Sequence, residues 1–225
     1  ISINDVTQEE EQINLKRQLT QNIAHELKTP VSSIQGYLET IVSNENIPRE
    51  KINVFLERCY AQSNRLSRLL RDISVLTRMD EAANMIDMER VDISLLVGNI
   101  INEVALELDE KHITVVNSLK KSIQIKGNYS LIYSIFRNLM DNAIKYTPAG
   151  SHIILSAAAQ GETAVIQVSD DGSGIPDGAK EKVFEMFFTG ENRISDSRRS
   201  LGLGLALCRT IIAAHGGTIT LSDNK

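Results

Sequence analysis

The feature that most limits the fold is a regular series of apolar residues between positions 49 and 79. Its members follow one another at alternating steps of three and four, and only one of them is polar. The positions are Ile52, Phe55, Cys59, Gln62, Leu66, Leu69, Ile73 and Leu76. These steps place the side chains on one face of an α-helix, so the segment is predicted to be a helix with an apolar stripe. Cys59 lies in the stripe and is interpreted as a small buried hydrophobe rather than a reactive thiol.

A second stripe precedes the first. Between residues 9 and 43 the apolar positions recur at steps of three and four, at Ile23, Leu27, Val31, Ile34, Leu38 and Ile41. The segment from Asn44 to Pro48 is rich in turn-forming residues and is predicted to join the two helices. One hairpin leaves part of each stripe in water, whereas two hairpins packed into a four-helix bundle bury both. Residues 9–79 are therefore interpreted as a homodimerising hairpin, because no two further helices follow before the pattern changes.

The bulk composition excludes several classes of protein. The chain has 225 residues, enough for one large or two small domains, and its 42% hydrophobic and 24% charged residues are typical of a soluble protein. A net charge of −5 argues against a general nucleic-acid binder. Two cysteines far apart provide no disulfide framework, which fits a reducing cytoplasm. No apolar run could span a bilayer and no signal peptide is visible. The first residue is Ile rather than Met, so we expect a piece of a longer protein.

After residue 86 the sequence pattern becomes mixed. Strands are predicted at residues 86–91, 112–117, 122–126, 151–159, 163–169 and 218–221, and helices at about 92–111, 128–146 and 202–215. Asp92 or Ser94 is expected to cap the first of these helices, and Asn128 to open the second. This order predicts an α+β sandwich, a mixed sheet with helices packed on one face. Residues 1–7 alternate between apolar and polar like the end of a further strand.

His25 lies on the polar side of the first helix. At about 100° per residue it is roughly 200° from Ile23, so it is predicted to point to solvent. Glu26 stands beside it, and Pro30 is expected to kink the helix just after it. An exposed imidazole is largely neutral and nucleophilic at cellular pH, and a nearby carboxylate can take its proton. For an isolated His–Glu pair, a solvated helical face is the favoured interpretation, because short motifs recur by chance.

A group of polar residues recurs on one side of the helix predicted at 128–146. Asn138, Asn142 and Lys145 lie within two turns. Their amides and ammonium suit a metal–triphosphate, because an Asn oxygen can bind Mg²⁺ and Lys supplies positive charge. A polar helix face exposed to water explains the same spacing.

Two glycine-containing segments follow. Asp170 ends a predicted strand and can accept a hydrogen from an adenine amino group, while Gly172 and Gly174 let the backbone come close. A simple turn has the same pattern. Gly202 and Gly204 open a predicted helix whose N-terminal amides and dipole favour phosphate. The sequence contains neither a P-loop nor a dinucleotide-binding fingerprint.

The other histidines are interpreted as structural. His112 and His152 begin predicted strands without a partnered carboxylate pattern, so surface or structural roles are favoured. His215 falls in a last helical turn, where a cation suits the helix dipole. No His/Cys cluster has the spacing of a zinc site.

The segment H-E-L-K-T-P, which starts at His25, resembles the phospho-acceptor box of the sensor histidine kinases. Three further boxes of that family follow in order: Asn138 to Tyr146, Asp170 to Gly174, and the Gly202-Leu-Gly-Leu segment. The resemblance extends from about Gln12 to Asn224. It implies several domains: an all-α hairpin that dimerises into a four-helix bundle, then an α+β sandwich ATP-binding domain of the GHKL type. We expect the end of an upstream sensor or linker at 1–8, the hairpin at 9–79, a linker at 80–86 and the ATP-binding domain at 87–225.

The resemblance implies roles for the first box. His25 would accept the γ-phosphoryl group of ATP and donate it to an aspartate in the receiver domain of a response regulator. Glu26 would orient or deprotonate His25. Thr29, one turn later, would help to position water when the regulator is dephosphorylated.

The resemblance also implies roles in the ATP-binding domain. Asn142 would hold Mg²⁺, Asn138 and Lys145 would contact the phosphates, and Tyr146 would lie by the nucleoside. Asp170 would accept from adenine, and Asp171 occupies a variable position of its box. The glycines Gly172, Gly174, Gly202 and Gly204 would let the backbone approach the nucleotide.

Some residues depart from the family pattern. The segment from Thr189 to Leu201 is placed as the ATP lid, with Arg193 in it, but Thr189 stands where many members have Arg. Arg198 or Arg199 is expected to replace that cation. The lid is flanked by phenylalanines that resemble a further box of the family, Phe184, Phe187 and Phe188. The chain also stops before the strand that normally completes the sheet, so we expect an element of the ATP-binding domain to be missing.

The family also implies partners and a location: a homodimer, a receiver domain, no direct nucleic acid, and an upstream sensor and transmembrane region outside this chain. The chain would be the cytoplasmic portion of a bacterial inner-membrane sensor. Two alternatives stay open from the sequence: a GHKL-superfamily ATPase or chaperone whose helices only dimerise, and an ATP-binding signalling scaffold without kinase activity.

Overall fold

The computed structural model describes residues 3–44, 46–81, 87–119, 123–160, 163–188 and 202–223. The chain divides into two compact units, Ile1–Ile73 and Ser74–Lys225.

The first unit is built from two long helices, as predicted. Helix α1 is Ile3–Val42 and helix α2 is Arg49–Glu81. The strand expected at residues 1–7 is wrong from Ile3 onward, because this short segment continues the helical hydrogen bonding of the residues after it. Helix α1 continues through Pro30, so the proline does not end it.

The facing stripes of the hairpin are only partly covered. Leu69 is buried, and the ring of Tyr37 stacks on Phe55 with centroids 5.7 Å apart. Cys59 is half-buried and its Sγ lies 3.8 Å from the carbonyl oxygen of Ile34, as befits a small packed side chain. Other large apolar side chains remain exposed: Val31, Leu38, Val42, Val54, Leu56, Tyr60 and Leu70. One hairpin therefore leaves apolar surface in water.

The second unit is an α+β fold, as predicted. Its strands are β1 Glu89–Asp92, β2 Thr114–Asn117, β3 Gln124–Gly127, β4 His152–Gln160 and β5 Thr163–Asp170. Its helices are α3 Ile93–Glu103, α4 Ala105–Glu110, α5 Tyr129–Tyr146 and α6 Gly204–Ala214, with short 3-10 turns at Asp177–Ala179 and Lys182–Phe184. Strand β4 pairs parallel with β2 and antiparallel with β5, which makes a mixed sheet. Strands β1 and β3 form a separate antiparallel pair instead of joining it.

Side-chain caps fix where two helices begin. The Oδ1 atom of Asp92 accepts the N–H of Leu95 at 3.1 Å, so Asp92 is the cap of α3 rather than Ser94. Asn128 caps α5 in the same way, by accepting from Leu131 at 3.1 Å. The single helix expected to reach about residue 111 is interrupted at Val104, whose side chain is fully buried. The backbone of Val104, with φ −99° and ψ 7°, departs from helical geometry, and this ends α3 there.

The core of this unit lies between α3, α5 and the mixed sheet. Its fully buried members include Ile93, Leu96, Ile100, Ile132, Met140, Ile153 and Leu155. The strand expected at 218–221 is not formed among the described residues: the segment 217–223 has no strand pairing. Lys180 instead holds this segment through a 2.6 Å ion pair with Asp223. Strand-forming residue types alone were insufficient there, because a strand also requires a neighbouring edge.

Candidate functional site

His25 is exposed on α1, while Ile23 of the apolar stripe is half-buried, so the prediction that the imidazole faces solvent is confirmed. Thr29 is exposed one turn later, and its Oγ1 donates to the carbonyl oxygen of His25 at 3.2 Å. Pro30 has no N–H to give to the carbonyl of Glu26, so the helix lacks one backbone hydrogen bond beside the histidine. The histidine and Thr29 thus share one solvent-facing side of the helix.

Glu26 is bound by an arginine that the sequence did not single out. Nη2 of Arg65, on α2, donates to Oε2 of Glu26 at 2.6 Å, and the two side chains are 15% and 30% exposed. Partial burial makes such a charge-assisted bond stronger than a pair on the open surface. In the sequence, Arg65 is adjacent to the stripe residue Leu66, about 100° away around the helix. Nothing in the sequence pattern pairs it with Glu26.

The polar face predicted on α5 exists. Asn138, Asn142 and Lys145 are all half-buried along this helix. A Cβ added at Gly204 would lie 3.1 Å from Oδ1 of Asn138, so the first turn of α6 packs directly on α5. Two of the predicted nucleotide segments, far apart in sequence, are therefore brought together. At the other end of the face, Nζ of Lys145 lies 4.9 Å from the ring centroid of Tyr146.

The turn after β5 meets the same helix. Oδ1 of Asp170 accepts the N–H of Gly172 at 2.9 Å, which fixes the orientation of the carboxylate. A Cβ at Gly172 would overlap that Oδ1 atom and would lie 3.1 Å from the carbonyl oxygen of Tyr146. The missing side chain of Gly172 therefore permits this close approach. Gly174 follows with φ +71°, a backbone conformation that favours glycine.

Asp171 is used elsewhere. Its Oδ2 accepts the backbone N–H of His152 at 2.9 Å and lies 3.2 Å from Nδ1 of the same residue. The expectation that His152 has no carboxylate partner is wrong. The antiparallel register pairs Ile153 with Asp170, and this places His152 beside Asp171. The sequence pattern of either strand alone does not predict this contact, because it depends on how the two strands align.

A tight backbone contact lies before α6. Gly202 has φ +67°, its carbonyl oxygen accepts the N–H of Phe187 at 3.1 Å, and a Cβ on it would lie 2.8 Å from the carbonyl carbon of Phe187. Phe187 itself has φ +68°, which is strained for an aromatic residue. The side chains of Phe184, Phe187 and Phe188 are half-buried. The predicted lid residues Thr189, Arg193, Arg198 and Arg199 lie outside the described residues.

His215 forms hydrogen bonds through both ring nitrogens at the end of α6. Its Nε2 accepts the backbone N–H of Asn128 at 3.1 Å. Nδ1, 2.8 Å from the carbonyl oxygen of Ile211, is then the donor. The imidazole joins the end of α6 to the start of α5. Gly127 makes room, because a Cβ there would lie 2.7 Å from Cδ2 of the ring.

The assembled residues fit a nucleotide. Two amides, one ammonium, an oriented carboxylate and closely approached glycines meet along α5, and these groups match phosphates and a base. In the part of the chain that the structure describes, no three His, Cys, Asp or Glu side chains gather as a metal site. A divalent ion would take most of its ligands from phosphates and water, as Mg²⁺ commonly does. None of the described helices combines the length and apolar character needed to cross a membrane.

Two family models match the chain. The His Kinase A (phospho-acceptor) domain matches residues 15–82, and the histidine kinase-, DNA gyrase B- and HSP90-like ATPase domain matches residues 127–225. The second is an ATP-binding domain. The sensor-like histidine kinase SenX3 of Mycolicibacterium smegmatis is 30% identical over 206 residues, which cover 92% of this chain and 53% of SenX3. The chain thus spans about half the length of this relative.

Two solved structures of histidine kinases resemble this chain in fold. The Acinetobacter baumannii histidine kinase AdeS superposes with a TM-score of 0.69 at 26% identity, covering 88% of this chain and 91% of that one. The histidine kinase ThkA, solved in complex with the response regulator TrrA, gives a TM-score of 0.67 at 21% identity over 96% of this chain and 60% of that one, a likeness of fold. With a phospho-acceptor hairpin before an ATP-binding α+β domain, the chain belongs to the sensor histidine kinases of two-component systems.

Proposed function

We propose that this chain phosphorylates itself on His25 with ATP and then transfers the phosphoryl group to an aspartate of a response-regulator receiver domain. The observation that carries the proposal is the exposed imidazole of His25 on a hairpin, in a chain whose second unit gathers three nucleotide segments around α5. The two matched domains support the same reaction.

The chemistry assigned to the residues is a displacement in two steps. ATP supplies the γ-phosphoryl group. A ring nitrogen of neutral His25 attacks the γ-phosphorus, the new N–P bond forms, and the bond to the β-phosphate oxygen of departing ADP breaks. The imidazole proton passes to Glu26 or to water. In the second step an aspartate carboxylate of the regulator attacks the phosphorus, and the N–P bond breaks to regenerate His25.

We assign nucleotide binding to the second unit. Asn142 would hold Mg²⁺ by its side-chain oxygen, while Asn138 and Lys145 would contact the phosphates. Tyr146 lies by the nucleoside and Asp170 accepts from the adenine amino group. The backbone at Gly172, Gly174, Gly202 and Gly204 approaches the ligand closely. Arg198 or Arg199 supplies the lid cation. Positioning and charge neutralisation then lower the barrier, as in phosphoryl transfer generally.

We assign the binding of protein partners to the hairpin. Its exposed apolar side chains, such as Leu38 and Val42, favour a homodimer in a four-helix bundle. The complex of ThkA with TrrA supports a receiver domain as the second partner. Thr29 is assigned to water positioning when the regulator is dephosphorylated. As in a sensor kinase, the chain would be the cytoplasmic portion of an inner-membrane protein.

The proposal is tested by incubating the wild-type chain and His25→Gln with γ-labelled ATP. The wild type should form an acid-labile, alkali-stable phosphoprotein. His25→Gln should form none, with its affinity for nucleotide nearly unchanged, because the nucleotide segments lie in the other unit. ATP hydrolysis without phosphoprotein in the wild type would instead favour an ATPase, and a labelled His25→Gln would move the acceptor to another residue.

A further inference from the structure

Lys111 reaches from the turn between α4 and β2 to the last turn of α5. Its Nζ lies 2.5 Å from the carbonyl oxygen of Ile144, and 3.3 Å from those of Lys145 and Thr147. The last carbonyls of a helix have no donor within the helix. The backbone N–H of Thr147 donates to the carbonyl oxygen of Ala143. The ammonium of Lys111 has three N–H donors, which can reach the carbonyl oxygens that follow.

The same turn also holds the connection that leaves α5. The carbonyl oxygen of Lys111 accepts the N–H of Gly150 at 3.0 Å, and the carbonyl oxygen of Ser151 accepts the N–H of Thr114 at 3.0 Å. The side chain of Lys111 is half-buried, so its charge is placed against the negative end of the helix dipole with reduced screening. Lys111 thus fixes both the end of α5 and the chain just beyond it.

This end of α5 is the part that meets the turn of Asp170. Tyr146 is the last residue of the helix, and its carbonyl oxygen faces Gly172 within contact distance of an added Cβ. The ammonium of Lys145 lies over the Tyr146 ring. Any fraying of the last turn would therefore move both side chains relative to Asp170.

We infer that Lys111 is a positioning residue for nucleotide binding, which holds Lys145 and Tyr146 in place against the Asp170 turn. The inference rests on the proposed function, because it assigns those two side chains to the nucleotide. The three contacts of the Lys111 ammonium described above are all with backbone oxygens at the helix end. Its effect should reach the base, the ribose and the phosphates that ATP and ADP share rather than the γ-phosphate.

The experiment replaces Lys111 by Met in the full chain, which removes the donors and keeps most of the apolar stem. Dissociation constants for ATP and ADP are measured by calorimetry at fixed Mg²⁺ and salt. We expect both to rise about tenfold, with the ATP/ADP ratio unchanged and with KM raised more than kcat is lowered. Lys111→Arg should recover part of the affinity. Lys126→Met, at an exposed position in β3, is the matched control and should bind like the wild type.

A double-mutant cycle with Tyr146→Ala separates positioning from general stabilisation. If Lys111 acts through Tyr146, the double variant loses little more affinity than the more affected single variant. Additive losses, or a folded Lys111→Met with wild-type affinity for both nucleotides, would overturn the inference. If Lys111→Met is unfolded at the assay temperature, Lys111→Gln is measured by the same criteria.

The wild type keeps this test separate from that of the proposed function. A wild-type chain that neither binds nucleotide nor forms phosphohistidine refutes the proposed function. A wild-type chain that does both, beside an unaffected and folded Lys111 variant, refutes the role of Lys111 alone.

Discussion

At the scale of single residues, the predicted nucleotide segments depend on the space that glycines leave as much as on polar side chains. Gly172, Gly202 and Gly204 each lie where a Cβ would meet a neighbouring segment. A Cβ added at Gly178, by contrast, would enter open space. These three glycines of the predicted boxes therefore let neighbouring segments pack closely, and Asn138 and Asp170 lie at two of these contacts.

Thr29 provides the prediction that belongs to a single side chain. Its hydroxyl is exposed one turn from His25 and donates to the carbonyl of that residue, so its oxygen can still accept from a water. We expect Thr29→Ala to keep autophosphorylation and to slow dephosphorylation of the regulator about tenfold or more. The measurement follows loss of label from a phosphorylated receiver domain with added Thr29→Ala. Thr29→Ser, which keeps the hydroxyl, is the control, and equal rates for Thr29→Ala and the parent would reject the assignment.

At the scale of elements, α5 is fixed at both ends by groups from other parts of the unit. Asn128 caps its start and donates its own backbone N–H to Nε2 of His215. The ammonium of Lys111 holds its end. The polar face between these ends carries Asn138, Asn142 and Lys145. A helix held in this way presents its side chains in a constant register, which keeps the cost of ordering them on binding low.

The lid is the second element with a testable role, although its arginines lie outside the described residues. Removal of Arg193, Arg198 and Arg199 together should weaken ATP more than ADP, because these ligands differ only by the γ-phosphate. We expect the ATP/ADP affinity ratio to fall about tenfold, the loss of one charge-assisted contact. This result differs from the uniform loss expected for Lys111→Met.

Titration of both nucleotides against the single and triple Arg→Ala variants measures the effect. Arg209→Ala, on the exposed side of α6, is the matched control. A triple variant with an unchanged affinity ratio and phosphorylation rate would show that these arginines are only surface charge.

Contacts that are local in the sequence could be predicted from it, and contacts between distant segments could not. The stripe from Ile52 to Leu76 predicts α2 because helical periodicity is local, and the caps at Asp92 and Asn128 are local too. The contacts of Arg65 with Glu26 and of His152 with Asp171 join positions 39 and 19 residues apart. They depend on how helices face and how strands align, which a single sequence does not specify. For the same reason, the sequence did not predict the contacts of Lys111 with the end of α5.

At the scale of the whole molecule, the hairpin should form a dimer. Leu69 is only 5% exposed within one chain, so Leu69→Asp would also damage the hairpin itself. Leu38 is 43% exposed and lies on the α1 stripe, which makes it the sharper probe. We expect Leu38→Asp to shift a sedimenting dimer toward monomer while the helical circular dichroism is retained.

Glu57→Gln is the control for that experiment, because it alters an exposed charge and no apolar surface. Its sedimentation should match that of the wild type. An intact dimer of Leu38→Asp at micromolar concentration would place the interface on another surface of the chain.

The bond between His215 and Asn128 also has a consequence for the order of events during synthesis. It joins residues 87 positions apart, so the start of α5 cannot receive this partner until residue 215 has left the ribosome. The hairpin of α1 and α2 involves only earlier residues and is complete well before that. Domains generally fold as units in the order of their emergence. If the proposed function holds, a nascent chain should therefore present His25 on its hairpin before the nucleotide segments around α5 are complete.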